Sequence, residues 1–278
     1  MTAQLEVVEE TYDSSKRPNP LMEEFLTLFK YRDLVYQFVA SSIKTRYKRS
    51  LLGVAWTLLN PLLMMIVLTL VFSNLFKFTL VHYPVYVLSG LIAWNFFSSA
   101  TIQAMQGMIM SGGLLNRIYV PKSVFTVSAL GTGLVNLGFS IIPLLAIALI
   151  LGVRMNLALL VMPVAVLLLA FFVLGMGLIL ASAAVYFADM LPVYEVILTL
   201  WMYATPIIYP PEVLPPKWLW LFKLNPMYHL VQIFRRPIYE GVVPDWKEWV
   251  FAAATALAVF IIGSLIFTSK INEYAYRT

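Results

Sequence analysis

Four cations fall within one short run, at Lys44, Arg46, Lys48 and Arg49, in the string Lys44-Thr-Arg-Tyr-Lys-Arg-Ser-Leu-Leu-Gly53. Guanidinium and ammonium groups suit phosphate oxygens, so this run could dock a phosphate-bearing substrate. It could equally anchor the chain to anionic lipid headgroups. Other chemistry is sparse. Only two histidines occur, His82 and His229, and neither has a partner at metal-ligand spacing. The absence of cysteine removes both a disulfide framework and a Cys-based metal site. Asp189 and Glu195 form the one acidic pair near a membrane face, and a membrane-embedded glycosyl- or phosphotransferase would have to use them. No G-x-x-x-x-G-K-[ST], H-E-x-x-H or G-x-S-x-G string is present. The chain therefore has no loop to cradle ATP, and an ATP-driven step would belong to another polypeptide carrying the ATP and magnesium. No catalytic residue, metal site or cofactor is assigned to this chain.

A second kind of chemistry lies in aromatic and polar side chains sharing a helical face. Trp56 stands four residues before Asn60, and Trp201 four before Thr205. Such a face can stack on sugar rings while offering hydrogen bonds, which a hydrated glycan path needs. Pro61 and Pro206 follow those two polar residues directly, and each removes a backbone donor and loosens its helix. Pro143 and Pro163 read as ordinary kinks. Gly175, Gly177, Ala181, Ala184 and Ala188 place small side chains at helix-packing spacing. Arg235 and Arg236 would suit a phosphate-rich polymer if they face outward.

The elements that must hold these residues follow from composition. Hydrophobic residues make up 61% of the 278 and charged ones only 12%, about half the usual share for a soluble domain. Apolar runs long enough to cross hydrocarbon occupy about 51–76, 84–108, 123–151, 157–187, 189–209 and 246–268. The reading is an all-α membrane protein with six transmembrane helices. Ser98, Ser99, Thr101, Gln103 and Gln106 in the second of these and Glu195 in the fifth should face other helices or water. Lys and Arg cluster before the first span and after the second and sixth, which puts both termini in the cytoplasm. The short opposite loops carry only Lys77 and Arg154. Residues 1–20 read as a mobile cytoplasmic tail, 21–49 as an amphipathic interface helix, and 50–278 as the transmembrane domain. The segment 210–241 is broken by Pro210, Pro211, Pro215, Pro216 and Pro226 into pieces too short to cross, and reads as short re-entrant helices between spans five and six. Asn225-Pro226 has the form of an N-cap followed by proline.

Several strings carry a resemblance. Tyr31-Arg-Asp-Leu-Val35, Ile43-Lys-Thr-Arg-Tyr-Lys-Arg-Ser-Leu-Leu-Gly-Val-Ala-Trp56 and Asn60-Pro-Leu62 open it. Leu88-Ser-Gly-Leu-Ile-Ala-Trp-Asn-Phe-Phe97, Ile118-Tyr-Val-Pro-Lys122, Thr205-Pro-Ile-Ile-Tyr209 and Leu224-Asn-Pro-Met227 continue it in order. Together the chain from about 31 to 240 resembles the polysaccharide-export permeases of ATP-binding-cassette transporters, the O-antigen and capsule exporters. The resemblance implies a six-helix subunit of a prokaryotic inner membrane that pairs with a second copy of itself and sits on two nucleotide-binding ATPase subunits. It implies a lipid-linked substrate, a glycan on undecaprenyl diphosphate, with membrane lipid but no nucleic acid as a further partner. The channel would run between the first and fifth spans, lined by Trp56, Asn60, Trp201, Tyr203 and Thr205. The lipid headgroup would enter beside Leu52 and Gly53, near Arg46, Lys48 and Arg49. Coupling to the ATPase would pass through 112–122, with Arg117, Tyr119, Pro121 and Lys122. The external gate would be 210–241, with Trp218, Trp220, Tyr228 and Arg235. The sequence departs from the family where Ala188 precedes Asp189, since a basic residue usually stands there. A teichoic acid exporter of the same architecture, a membrane-embedded glycosyl- or phosphotransferase and a passive channel are the alternatives.

Overall fold

A backbone crossing hydrocarbon must satisfy its own polar groups, so long apolar runs become helices. The computed structural model describes residues 20–47, 55–74, 81–110 and 120–270, and the regular structure among them is helical throughout. Two short helices lead, α1 (Pro20–Lys30) and α2 (Arg32–Tyr47), followed by α3 (Ala55–Asn74) and α4 (Tyr83–Met110). Next come α5 (Ser123–Ile150), a 3-10 turn at Leu157–Val161, and α6 (Met162–Tyr186). The rest is α7 (Met190–Tyr203), two 3-10 turns, α8 (Leu219–Lys223), α9 (Pro226–Tyr239) and α10 (Trp246–Lys270). Among the described residues, four helical stretches are long and apolar enough to cross a membrane: Tyr83–Met110, Ser123–Ile150, Leu157–Tyr186 and Trp246–Lys270. The apolar part of α3 (Leu59–Phe72) and α7 are shorter.

The centre of the bundle is α4, packed chiefly against α5 and α6, with α9 and α3 on its remaining sides. Every residue from Val85 to Trp94 is buried, so this part of the helix has no open face. The closest pairing is α6 with α10. There the backbones touch: a Cβ on Gly263 would meet the Gly175 carbonyl oxygen at 2.3 Å, and one on Gly175 would meet the Phe260 backbone at 2.6 Å. Glycine at those two positions brings the helices within backbone contact. In contrast, α3 and α7 are lightly held and leave Leu63, Met64, Val67, Val193, Val196 and Leu200 exposed.

Two sequence boundaries need correction. Residues 21–49 were expected as one amphipathic helix, but the helix breaks at Tyr31 into α1 and α2. Leu34, Val35, Phe38, Val39 and Ile43 are half-buried, and Phe38 packs on Phe125 of α5 with ring centroids 5.6 Å apart. The expected span 189–209 is helical only through Tyr203. Pro206 has no N–H to donate and disfavours helical backbone at Thr205, so the chain unwinds, and the Ile207 N–H returns to the Thr205 carbonyl at 2.7 Å. Of the expected tail 1–20, only Pro20 lies within the described residues.

Candidate functional site

Most of α4 is buried, yet one edge of it is open. Asn95 and Gln106 are exposed, with Ser98 and Ile102 half-buried between them, and the three-to-four-residue spacing puts all four on one stripe. Two cavities open onto that stripe. One, of about 380 Å³ between α3, α4 and α5, is lined by Asn60, Asn95, Ser98, Ser99, Asn136 and Ser140 among others. The other, of about 270 Å³ between α4 and α7, is lined by Trp94, Ser98, Ile102, Glu195, Thr199 and Met202 among others. Ser98 belongs to both, so the stripe forms a floor with α3 on one side and α7 on the other. A third cavity, of about 450 Å³, adds Ser41, Ser42 and Thr45 of α2 to Gln103 and Thr132. On α5 the polar groups recur four apart, Thr132, Asn136 and Ser140, on a single face. The Ser98, Ser99 and Ser140 hydroxyls donate to carbonyls of their own helices, Asn95, Phe96 and Asn136, at 3.4, 3.5 and 2.9 Å. Helix α7 is tied to α4 by one buried polar contact, Tyr194 to Thr101, hydroxyl to hydroxyl at 2.8 Å.

At the other end of α7 the arrangement is closed. Thr205, Pro206, Ile207 and Ile208 are buried but not helical, so their carbonyls need donors from elsewhere. Side chains supply them. Arg235 of α9, 1% exposed, donates through Nη1 to the Pro206 carbonyl and through Nη2 to that of Ile207, both at 3.0 Å. Its guanidinium lies 3.8 Å from the Tyr86 ring centroid, a cation–π contact. The Tyr86 hydroxyl faces the Tyr209 and Pro206 carbonyls at 3.0 and 3.3 Å, and the Tyr83 hydroxyl donates to Ile208 at 2.6 Å. Gly90 makes the fit possible, because a Cβ there would lie 2.1 Å from Arg235 Nη2. Among the described residues no carboxylate forms an ion pair with Arg235, so carbonyl dipoles and one ring hold the charge. Its neighbour Arg236 pairs instead with Glu240 at 3.5 Å and Glu248 at 3.1 Å.

The predicted residues divide accordingly. Asn60 lines the larger cavity beside the stripe. Trp201 and Thr205 belong to a joint: the indole N–H donates to Asn225 Oδ1 at 2.8 Å, and Asn225 Nδ2 donates to the Thr205 hydroxyl at 2.8 Å. Asn225 Oδ1 also caps α9 through the Met227 N–H at 3.0 Å. That leaves the Trp201 ring packed edge-on against Trp94, Phe97 and Phe172. Tyr203 is exposed, and its carbonyl accepts from the Tyr209 hydroxyl at 2.5 Å. Trp218 and Trp220 are exposed, whereas Tyr228 is buried with its ring edge-on to His229. Pro121 and Lys122 are buried at the start of α5, where the Ser123 N–H donates to Glu24 of α1 at 3.4 Å. Burial lowers the Lys122 pKa and the Glu24 carboxylate opposes that shift. Lys48, Arg49, Leu52, Gly53, Arg117 and Tyr119 lie outside the described residues, as do the side chains of Arg46 and Trp56. Sequence reasoning missed Asn95, Asn136, Ser140 and Thr199 on the polar side. It also missed Tyr83, Tyr86 and Gly90 on the closed side; the one signal there was a glycine one turn after a tyrosine.

Comparison with known proteins finds similarity over most of the chain. The family model described as ABC-2 type transporter matches residues 33–239. The chain is 30% identical to the O-antigen export system permease protein RfbA of Myxococcus xanthus over 89% of its own length and 96% of the relative's. It is 24% identical to the protein of that name from Klebsiella pneumoniae, covering 88% and 93%. Similarity extends to the polysialic acid transport protein KpsM of Escherichia coli, at 25% over 82% of this chain and 90% of that one.

Proposed function

Because the chain belongs to the ABC-2 type transporter family, in which the membrane subunit is a permease, we propose that it is the permease of an ATP-driven exporter of lipid-linked polysaccharide. The polysaccharide, O-antigen-like and carried on undecaprenyl diphosphate, passes outward across the cytoplasmic membrane of a prokaryote. The observation that carries this reading is the open stripe of α4. In a bundle of apolar helices, amides and hydroxyls at Asn60, Asn95, Ser98, Asn136 and Thr199 collect along one edge between the two lightly held helices. Polar groups at membrane depth are costly unless they meet water or a polar ligand, and a hydroxyl-rich sugar ring matches neutral donors and acceptors.

On this reading six segments cross the membrane, with α3 and α7 as the first and fifth. Both termini are cytoplasmic. Helices α1 and α2 lie on the inner membrane surface, and 210–241 dips into the outer one. The exposed apolar faces of α3 and α7 receive a second copy of the chain, which closes the path. Arg46, Lys48 and Arg49 receive the diphosphate beside Leu52 and Gly53. Force from the ATPase enters through 112–122, where Pro121 and Lys122, being buried, pass it to α5 and α1. Teichoic acid is the weaker cargo, since the Arg235 it would meet outside is engaged inside the protein.

The test is assembly and turnover. The purified chain should hydrolyse no ATP. Co-purified with a separate ATPase subunit and reconstituted, it should show hydrolysis stimulated by an undecaprenyl-diphosphate-linked glycan, and replacing Tyr119 and Pro121 together should release the ATPase. Turnover by the isolated chain, or indifference of the complex to lipid-linked glycan, would refute the proposal.

A further inference from the structure

One carboxylate stands apart along the clefts beside α4. Helices α3, α4, α5 and α6 contain no Asp, Glu, Lys or Arg at all. Those of α10 sit in its first and last turns. Glu195 of α7 is therefore the single charged side chain within the apolar helices away from their ends. It is exposed, it lines the cavity with Ser98 and Thr199, and it makes no ion pair with any described residue. Its neighbours Val193, Val196 and Ile197 are exposed too, so packing alone would accept an apolar residue there. A carboxylate at such a position calls for a wet surroundings and a reason.

Resting on the export reading above, we propose that Glu195 is a charge filter: the path accepts a neutral polysaccharide and rejects one that carries an anion on each repeat. The other groups along the stripe are amides and hydroxyls, which bond to sugar hydroxyls without preference for charge. The carboxylate supplies the preference. Two like charges about 8 Å apart in an effective dielectric of about 20 repel enough to change occupancy roughly 30-fold. A polyanion meets that repulsion at every repeat. The diphosphate of the lipid carrier meets it once, and Arg46, Lys48 and Arg49 are available to it.

The experiment uses the full chain with its ATPase partner in proteoliposomes. The probes are undecaprenyl diphosphate bearing a mannan and the same lipid bearing a sialic acid oligomer of equal length. Wild type should need at least about 10-fold more sialylated than mannosylated lipid for half-maximal ATPase stimulation, consistent with the repulsion above. Glu195→Gln should shrink that gap to within about 3-fold, by lowering the amount of sialylated lipid needed. Thr199→Glu, which adds a carboxylate one helical turn away, should widen it. An unchanged gap in Glu195→Gln, or equal loss of both responses, would overturn the filter while the export reading stands. If neither glycan stimulates wild type, the export reading fails and the filter falls with it.

Discussion

The two ends of α4 face different worlds. Around its N-terminal half, Tyr83, Tyr86 and Arg235 hold four successive carbonyls, Pro206 to Tyr209, in a closed knot. From Asn95 onward one edge is open, with Asn95 and Ser98 in the clefts beside the lightly held α3 and α7 and Gln106 exposed further along. Both regions place polar groups where an apolar core would be cheaper. In the first the groups bond one another, and their work is structural. In the second Asn95 and Gln106 are exposed, and on the export reading they serve something that is not part of the chain. The lesson is that a polar residue in a membrane helix points to function only after its partners have been found.

That contrast can be broken at its strongest point. Replacing Arg235 with Leu removes two charged hydrogen bonds from buried carbonyls, and should destabilise the protein by about 3–5 kcal/mol in detergent denaturation. A loss below about 1 kcal/mol would mean that water reaches those carbonyls and that the knot is not closed. Gly90→Ala is the sharper and smaller probe. Its Cβ must displace the guanidinium, costing roughly 1–3 kcal/mol in the wild-type background. In the Arg235→Leu background that cost should fall, because the guanidinium is gone and only the contact with Ile207 Cγ2 at 3.0 Å remains. Equal costs in both backgrounds would show that Gly90 serves some other contact.

Much of this fold is legible in the sequence, and the reason is physical. The runs 84–108 and 157–187 correspond to Tyr83–Met110 and Leu157–Tyr186, because in hydrocarbon an apolar run has no alternative to helix. The cap Asn225-Pro226 is local chemistry and is found where expected. The span 189–209 was overextended because apolar content hides the break; Pro206 was visible, but the donors that stabilise the unwound backbone lie on α4 and α9, far away in sequence. Arg235 is illegible for the same reason, its acceptors standing 28 and 29 residues earlier. Trp201 and Thr205 do share a face, but that face meets Asn225, which spacing within one helix cannot reveal. Asn95, a single amide between Trp94 and Phe96, becomes notable only once its two neighbours are seen to be buried.

The central claim is that the edge of α4 between α3 and α7 is wet, and thiol chemistry tests it directly because the chain contains no cysteine. Single cysteines at Asn95 and Thr199 report the stripe, and at Val164 and Ile262 they report apolar faces that are equally open in the isolated subunit. None of the four should change stability by more than about 0.5 kcal/mol, since no buried contact is lost. A thiol reacts as its thiolate, which needs water, so a charged, water-soluble reagent applied to the protein in lipid should label positions 95 and 199 at least about 10-fold faster than 164 and 262. Equal, slow labelling at all four positions would place the stripe against lipid and contradict the account.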